Sequence, residues 1–266
     1  MNGRIATGDG DILSEIEDFD SRLGSGAIWS LGGAGFIINV AGSIIFIDPY
    51  LSSPPSSNPL HRAIPIPFSP QRIKKADAVL STHEHEDHCD EQTITAIERN
   101  TQAIIVGPSS STAKALEWGC NKERVITMKS GARTLLGTKI AILSFNSKDP
   151  YAESALTFLI QTPRGSLYHS GDTKYFEGFA EVGANYTVDI ALLNFGKEFP
   201  SAENRWYMNA GEVANAARYL NARIVIPMHW DIWTEAKDDP ASIEPHLKKY
   251  GRSKLVVLNM GDKFEF

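Results

Sequence analysis

The chain has 266 residues, 42% hydrophobic and 22% charged, with 26 basic against 32 acidic side chains and a formal charge of −6. That composition excludes wholesale disorder, collagen-like repeats and coiled coil, and the length is enough for one domain with a substantial core. Two cysteines, Cys89 and Cys120, exclude a disulfide scaffold and fit a reducing, cytoplasmic compartment.

In chain order, residues 1–10 have no apolar core and do not read as a secretory signal. Residues 11–23 carry helical spacing (Ile12, Ile16, Phe19, Leu23). Short apolar runs at 27–31, 36–40 and 44–47 read as strands separated by glycines. The longest apolar stretch, 36–47, is broken by Asn39, Gly42 and Ser43 and falls short of the ~20 residues that cross a bilayer. Residues 49–70, PYLSSPPSSNPLHRAIPIPFSP, read as a long loop, because prolines remove backbone donors and fix φ. Loops of that length with no structure of their own are usually functional or mobile. Strands follow at 78–81, 103–106, 140–145, 155–161, 166–168, 189–193, 223–227, 254–258 and 263–266. Helices are expected at 91–99, 112–118, 174–181, 209–220 and 241–250. Runs of strands that later alternate with helices suggest helices covering stacked sheets.

Four apolar β runs end in Asp or His: IIFIDP (Asp48), AVLSTHEHEDH (His83 onward), SLYHSGDT (Asp172) and IVIPMHWD (His229). Rigid strands present functional groups on the loops at their ends. Three of the seven histidines fall within His83-Glu84-His85-Glu86-Asp87-His88. If the strand continues, His83 and His85 project the same way, because the strand period is two. A turn then brings Asp87 and His88 to the same place. Imidazole nitrogens with a carboxylate oxygen suit Zn²⁺, Mn²⁺ or Fe²⁺.

At this motif the chain resembles the metallo-β-lactamase superfamily, hydrolases with a four-layer αββα sandwich of the α+β class and one or two metals at one edge. The resemblance implies one such domain over 1–266. It also implies that His83 and His85 bind a first metal, that Asp87 and His88 bind a second, that Asp172 bridges them and that His229 completes the second site. WSLGGAGFII, DAVLSTHEHEDHCD, SLYHSGDTKYF and NARIVIPMHWDIW further resemble the L-ascorbate-6-phosphate lactonase branch. That branch implies a Mn²⁺-dependent lactonase acting on a phosphorylated sugar lactone, and a homo-oligomer. The chain is shorter than those lactonases, before the H-x-H-x-D-H motif and at the C-terminus.

Superfamily members mostly place a third histidine for the first metal between the H-x-H-x-D-H and GD segments. This chain has no histidine from Asp90 to Tyr168. Asn146 stands where that residue would fall, and Asp149 is an oxygen donor nearby. Asn146, Asp149 or a water molecule then takes the place, and oxygen donors favour a harder ion such as Mn²⁺. A single-metal enzyme built on Asp87, His88, Asp172 and His229 is the other option.

The chemistry expected is hydrolysis of a small ester or lactone by metal-activated water, with Asp87 as ligand and proton relay. Two alternatives stand beside it: phosphodiester hydrolysis on the same metals, and a binding protein that has lost turnover. The acidic balance and the lack of a basic run disfavour long nucleic acids. Di-iron oxygen reductases of this fold resemble H-x-E-x-D, so His85 argues against redox chemistry.

Asp48 and Asp231 are expected to orient metal-bound histidines from behind. His169 reads as a buried, hydrogen-bonded histidine, Cys89 as a small buried hydrophobe, and His61, Arg62 and His246 as surface residues. Lys148, Lys197 and Arg205 are surface cations. Trp230 and Trp233 either wall the site or pack in the core, and Gly171 allows a tight approach of backbone to the site.

Overall fold

Strands β2 (Gly26–Gly32) and β3 (Gly35–Val40) are buried at every residue, which requires a cover on both faces of their sheet. Their side chains alternate between two different cores. Phe36, Ile38 and Val40 enter one apolar cluster, while Ile37 enters another. The structure, a computed structural model, describes residues 4–6, 11–21, 24–197 and 207–266.

The first sheet has eight strands. Its order is β1 (Arg4–Ala6), β15 (Lys263–Glu265), β2, β3, β4 (Ser43–Ile47), β5 (Ala78–Leu80), β6 (Ile104–Gly107) and β7 (Val125–Thr127). The second has seven, in the order β14 (Lys254–Leu255), β13 (Ile224–Met228), β12 (Ile190–Asn194), β11 (Gly165–His169), β10 (Leu156–Thr162), β9 (Ile140–Asn146) and β8 (Arg133–Leu136). Each sheet is part antiparallel and part parallel. The parallel runs are β4 to β7 in the first and β11 to β14 in the second.

The inner faces meet in one cluster that joins Ile28, Phe36, Ile45 and Leu80 to Ile142, Phe158, Leu192 and Ile226. The outer face of the first sheet packs under α1 (Ile12–Asp18), α2 (Glu91–Thr101) and α3 (Ser109–Glu117), where Trp29, Phe46 and Val79 meet Ile16, Ile94 and Ala115. The outer face of the second lies under α4 (Gly178–Asn185), α5 (Ala210–Tyr219) and α6 (Glu244–Tyr250), where Leu159, Ala191 and Val225 meet Phe179, Val213 and Leu247. The result is the four-layer αββα sandwich expected. No helix among the described residues is long and apolar enough to cross a membrane.

Several boundaries differ from the sequence expectations, each for a local reason. The helix expected over 11–23 ends at Asp18, and Leu23 lies outside the described residues. Asn39 of β3 donates its amide to the carbonyls of Ile16 and Phe19, so a side chain from the sheet takes the carbonyls another turn would use. The helix expected at 174–181 starts only at Gly178. The preceding backbone is held elsewhere: the Ser147 hydroxyl donates to Asp172 O and the Asn194 amide to Thr173 O. By contrast, α5 follows its pattern closely. Asn209 accepts from the Glu212 N–H and Glu212 returns the bond to the Asn209 N–H, a reciprocal cap that satisfies two orphan donors. Strands β1, β7 and β8 have no counterpart in the sequence expectations. β8 alternates between exposed and half-buried residues, so it lacks the apolar run that marks the inner strands.

From Pro49 to Ser69 there is no helix or regular strand, as expected of the proline-rich loop. Both ends of it are nevertheless tied down. Tyr50, Leu51 and Ser52 are buried, and the Leu51 N–H donates to Thr93 Oγ1. At the far end, Ala63 N donates to Ile232 O, Thr234 N donates to His61 O, and Arg62 bridges Trp233 in antiparallel fashion.

Candidate metal centre

The strand ends expected to carry chemistry converge. Parallel strands β4, β5, β11 and β13 lead into Asp48, His83, Asp172 and His229 at their carboxyl ends, where open α/β sheets place ligands. Two of these residues depart from ordinary backbone geometry: Asp48 has φ 46° and His229 φ 72°. Left-handed backbone at non-glycine residues is a sign of constraint that the surrounding structure enforces. Backbone hydrogen bonds hold both: Asp48 N donates to Leu80 O, and His229 N to Gly33 O across the sandwich.

Asp48 organises the cluster and is fully buried. Its Oδ1 accepts from the Thr82 N–H at 2.8 Å and its Oδ2 from the Thr82 hydroxyl at 2.7 Å. The same Oδ2 faces His88 Nδ1 at 2.8 Å. A carboxylate only accepts, so His88 carries its proton on Nδ1 and turns Nε2 toward Asp87, Asp172 and His229. The Thr82 hydroxyl donates its one O–H to Asp48. It therefore accepts from His83 Nδ1, 3.0 Å away, which frees His83 Nε2 for the cluster. One carboxylate thus sets the tautomers of two histidines, directly and through Thr82. Such partners behind a ligand set its orientation and basicity. Thr82 escapes a reading of the sequence, although it directly precedes His83, because no periodicity marks a hydroxyl for this task.

The remaining donors sit close together. His83 Nε2 lies 2.8 Å from His85 Nδ1 and 3.5 Å from Asp149 Oδ2. His229 Nε2 lies 3.2 Å from both Asp87 Oδ2 and His88 Nε2, and 3.6 Å from Asp172 Oδ1. His88 Nε2 is 3.5 Å from Asp172 Oδ2. Three groupings have one donor atom from each residue within 4.8 Å of the others: His83, His85 and Asp149; His83, His88 and Asp172; Asp87, His88 and His229.

Electrostatics follow from this crowding. Burial pushes His83 well down, reinforced by His88 and His85. Burial also acts against charge at His88, but Asp172, Asp87 and Asp48 outweigh it and hold that imidazole well above its ordinary value. His229 is raised against burial by Asp172 and Asp87. Burial would raise Asp87, yet His88 and His229 hold it well below the carboxylate range. Burial and the charge of Asp172 push Asp149 up to about 6.

These donors fit a divalent cation. Among the described residues, Asp149 Oδ2 and Asp172 Oδ1 are buried with no hydrogen-bond partner, which is expensive for a carboxylate unless a cation takes the lone pairs. The mixed imidazole and carboxylate set matches first-row divalent ions.

Some of the residues expected at the site fall into place and others do not. His83, His85, Asp87, His88, Asp172 and His229 are brought together. Asn146 is not: it is exposed at the end of β9. Past it the Ser147 hydroxyl donates to Asp172 O, the Lys148 N–H to Thr173 Oγ1 and the Tyr151 N–H to Asp149 Oδ1. Those bonds fold the chain back over the cluster and aim Asp149 at His83. Asp231 also differs from expectation. Its Oδ1 accepts from the Gly33 N–H at 2.9 Å, whereas His229 Nδ1 has no hydrogen-bond partner among the described residues. It therefore steadies the Gly32–Gly33 turn that receives His229 N, and does not touch the imidazole.

His169 is buried, with Nε2 2.9 Å from Ala34 O and Nδ1 accepting from the Gly171 N–H. It is a neutral, structural histidine that anchors the turn before Asp172. Cys89 is buried among apolar side chains, and burial raises its thiol to about 11. His61 is exposed and pairs with Glu235. Arg62 is half-buried, with its Nη1 donating to the Tyr50 and Ser52 carbonyls and its Nε to Ile64 O. Lys148 and Lys197 are exposed, as is His246 on α6, and Arg205 lies outside the described residues. Trp230 packs against the outer core of the second sheet. Trp233 is buried and its indole N–H donates to Asp87 Oδ2 at 3.1 Å.

A cleft of about 200 Å³ opens over Asp87 and Asp172. Leu60, Tyr207 and Trp233 wall it, and Asn58 and Glu86 add polar groups. The proline-rich loop thus contributes Asn58 and Leu60 to the site.

Gly171 shows how tight the scaffold is. Its φ is 54°, and a β-carbon there would lie 2.8 Å from Thr82 Cβ. Gly171→Ala is expected to destabilise the protein by about 1–3 kcal/mol, and to weaken metal binding by displacing Thr82 from His83. Denaturant midpoints and a metal titration check this. Unchanged values in both would mean that the turn yields freely.

Comparison with known proteins agrees with this geometry. Residues 44–230 match the model described as the beta-lactamase superfamily domain. A UPF0173 metal-dependent hydrolase from Pyrobaculum aerophilum is 32% identical over 236 residues, covering 87% of this chain and 96% of that protein. A protein from Escherichia fergusonii named as a probable L-ascorbate-6-phosphate lactonase is 28% identical, covering 94% of this chain and 83% of its own length. Among solved structures, Igni18, a metallo hydrolase from Ignicoccus hospitalis, has a TM-score of 0.74 at 22% identity, with 91% and 98% of the two chains covered. An isothiocyanate hydrolase from Delia radicum gut bacteria has a TM-score of 0.74 at 16% identity, with 89% and 97% covered. Both structural likenesses show the fold.

Proposed function

The chain belongs to the beta-lactamase superfamily domain family and is a metal-dependent hydrolase; from this premise we propose that it opens a small ester or lactone. The observation that carries the reading is Asp87, placed at once in the donor cluster and at the floor of the cleft, with its Oδ2 held by the Trp233 N–H.

His83, His85 and Asp149 would hold one ion, and Asp87, His88 and His229 a second, with Asp172 a further carboxylate beside His83 and His88. Asp149 takes the part for which no histidine is present. An oxygen donor in that place favours Mn²⁺ over Zn²⁺. A divalent ion bound there supplies Lewis acidity and brings the ionisation of water toward neutral pH.

The protein's own groups do the rest. Asp48 and Thr82 hold His83 and His88 in the tautomers that present Nε2. Asp87 accepts a proton from the attacking water and passes it to the leaving oxygen, the role of a positioned general base and then acid. His88 and His229 keep its carboxylate ionised, the form that can accept a proton. Leu60, Tyr207 and Trp233 exclude bulk water around the reacting carbonyl.

Two measurements test this reading. A panel of esters and lactones is assayed with Mn²⁺ and with Zn²⁺, then after chelation and metal replacement. Turnover that disappears with the chelator and returns with the ion is expected, and hydrolysis of phosphodiesters alone would replace the reading. Elemental mass spectrometry reads the metal content. Wild type is expected to hold two equivalents, Asp149→Ala one, and Asn146→Ala two. Loss of metal from Asn146→Ala with full retention in Asp149→Ala would reverse the assignment.

A further inference from the structure

Glu84 stands between two of the donors, His83 and His85, and helix α3 holds it at both its side chain and its carbonyl. Ser110 Oγ donates to Glu84 Oε2 at 2.7 Å, and Lys114 Nζ donates to Glu84 O at 2.7 Å. The two α3 residues are four apart in the helix and so share one face. The Glu84 carbonyl belongs to the same rigid peptide unit as the His85 N–H, so Lys114 fixes the plane on one side of His85. The His88 and Cys89 N–H groups fix the other side by donating to His85 O at 3.0 and 2.8 Å. The His85 side chain is 33% exposed, and its place follows from a backbone held on both sides.

The same serine reaches the loop that carries Asp149. Ser110 Oγ lies 2.6 Å from Ser154 Oγ. A hydroxyl has one proton to give, and that of Ser110 goes to Glu84, so Ser154 is the donor in this second bond. Ser154 closes the 147–155 loop, where Ser147 N donates to Ala155 O and the next residue, Leu156, donates its N–H to Thr82 O. Glu84, Ser110 and Ser154 thus form a continuous chain of hydrogen bonds from the His83–His85 segment to the Asp149 loop. Those two segments supply one of the donor groupings, His83, His85 and Asp149. The grouping of Asp87, His88 and His229 is fastened by other elements: Trp233 donates to Asp87, Asp48 pairs with His88, and Gly33 O receives the His229 N–H.

We infer that the Glu84–Ser110–Ser154 chain, with Lys114, sets the affinity of the ion position formed by His83, His85 and Asp149, and leaves the position formed by Asp87, His88 and His229 to Asp48 and Trp233. This rests on the ligand assignment above and deepens it. Ser110 and Lys114 are positioning residues that act through Glu84 and Ser154. The physical reason is preorganisation: donors that must be ordered when the ion arrives subtract that cost from its binding, and a site is only as precise as the groups that support it. His83 is fully buried and held through Thr82. His85 is partly exposed and Asp149 stands on an irregular loop, so these two depend on the link from α3.

The test reads each ion position by itself. Mn²⁺ is titrated into the metal-free chain, and unbound ion is counted by its electron paramagnetic resonance signal. His229→Ala removes a donor from one position and Asp149→Ala from the other, so each variant isolates the ion that the other one loses. In the His229→Ala protein, adding Ser110→Ala and Lys114→Met together is expected to weaken Mn²⁺ binding about tenfold, the low end for partners behind a ligand. Lys114→Met also removes a positive charge, which alone would favour a cation, so a fall in affinity reports lost positioning. Ser110→Ala by itself is expected to give a smaller fall, and it decides the matter if the paired change does not fold. In the Asp149→Ala protein the same pair is expected to leave the affinity unchanged. An unmoved or tighter affinity in the His229→Ala background, or an equal fall in both backgrounds, overturns the inference. An Asp149→Ala protein that still bound two ions would overturn the ligand assignment before any α3 residue is changed, and the inference with it. Binding is read without turnover, so an inert ester panel counts against the proposed reaction alone.

Discussion

Asp87→Ala is expected to lower kcat by about 10²–10⁴-fold, the usual contribution of a positioned general acid–base group, while the fold survives. The side chain has two partners besides the proposed metal. Trp233 donates its indole N–H to Oδ2, and His229 Nε2 approaches the same oxygen at 3.2 Å. Removing the carboxylate orphans a buried N–H, which destabilises by about 1–3 kcal/mol. It also relieves the like-charge repulsion that Asp87 exerts on Asp172. Against that, it removes the attraction of Asp87 for His88 and His229, so the melting temperature of the metal-free protein is expected to fall. Trp233→Phe keeps an aromatic wall and removes only the N–H. It is expected to lower kcat more than it raises KM, because it loosens the proton relay without emptying the cleft. Steady-state kinetics of both variants check this, with circular dichroism as the control for folding. An Asp87→Ala protein that turned over at the wild-type rate would remove Asp87 from the mechanism.

The second large effect is expected at a residue that touches no substrate. Asp48→Asn is nearly isosteric, but it places an amide where two donors already point, the Thr82 hydroxyl and His88 Nδ1. Whichever way the amide turns, it cannot accept all three hydrogen bonds that the carboxylate accepts. His88 then gains by moving its proton to Nε2, the nitrogen that faces Asp87, Asp172 and His229. Metal affinity is expected to fall about 10–100-fold, the range for losing a partner behind a ligand. A competition titration against a chelator measures it, and nitrogen NMR of the imidazoles reports the tautomer. Thr82→Val is expected to fall between wild type and Asp48→Asn, since it cuts the link to His83 and spares the one to His88. Equal affinities for all three proteins would mean that the histidines are oriented by packing alone.

Much of the layer architecture can be read from the chain because burial imposes a pattern on local sequence. Fully buried strands such as β5 and β13 are continuous apolar runs, and helix starts such as Asn209 carry their own caps. Edge strands escape that logic: β8 is half-exposed and among the described residues pairs only with β9, so nothing in its composition sets it apart from a loop.

The site divides along the same line. His83, His85, Asp87 and His88 are legible because they lie within one turn of chain, and Asp48, Asp172 and His229 because each follows an apolar run. Their type and position follow from local sequence. Asp149, Thr82 and Trp233 follow from contacts across the sandwich. Asp149 reaches His83 because the 147–149 backbone is pinned to Asp172 and Thr173. Thr82 matters because Asp48 arrives from the neighbouring strand, 34 residues away in sequence. Trp233 reaches Asp87 across 146 residues, in a segment paired with the proline-rich loop. Hydrogen bonds have directions and lengths of a few ångströms, and hydropathy spacing along one strand carries no information about which donor the opposite sheet will bring to it.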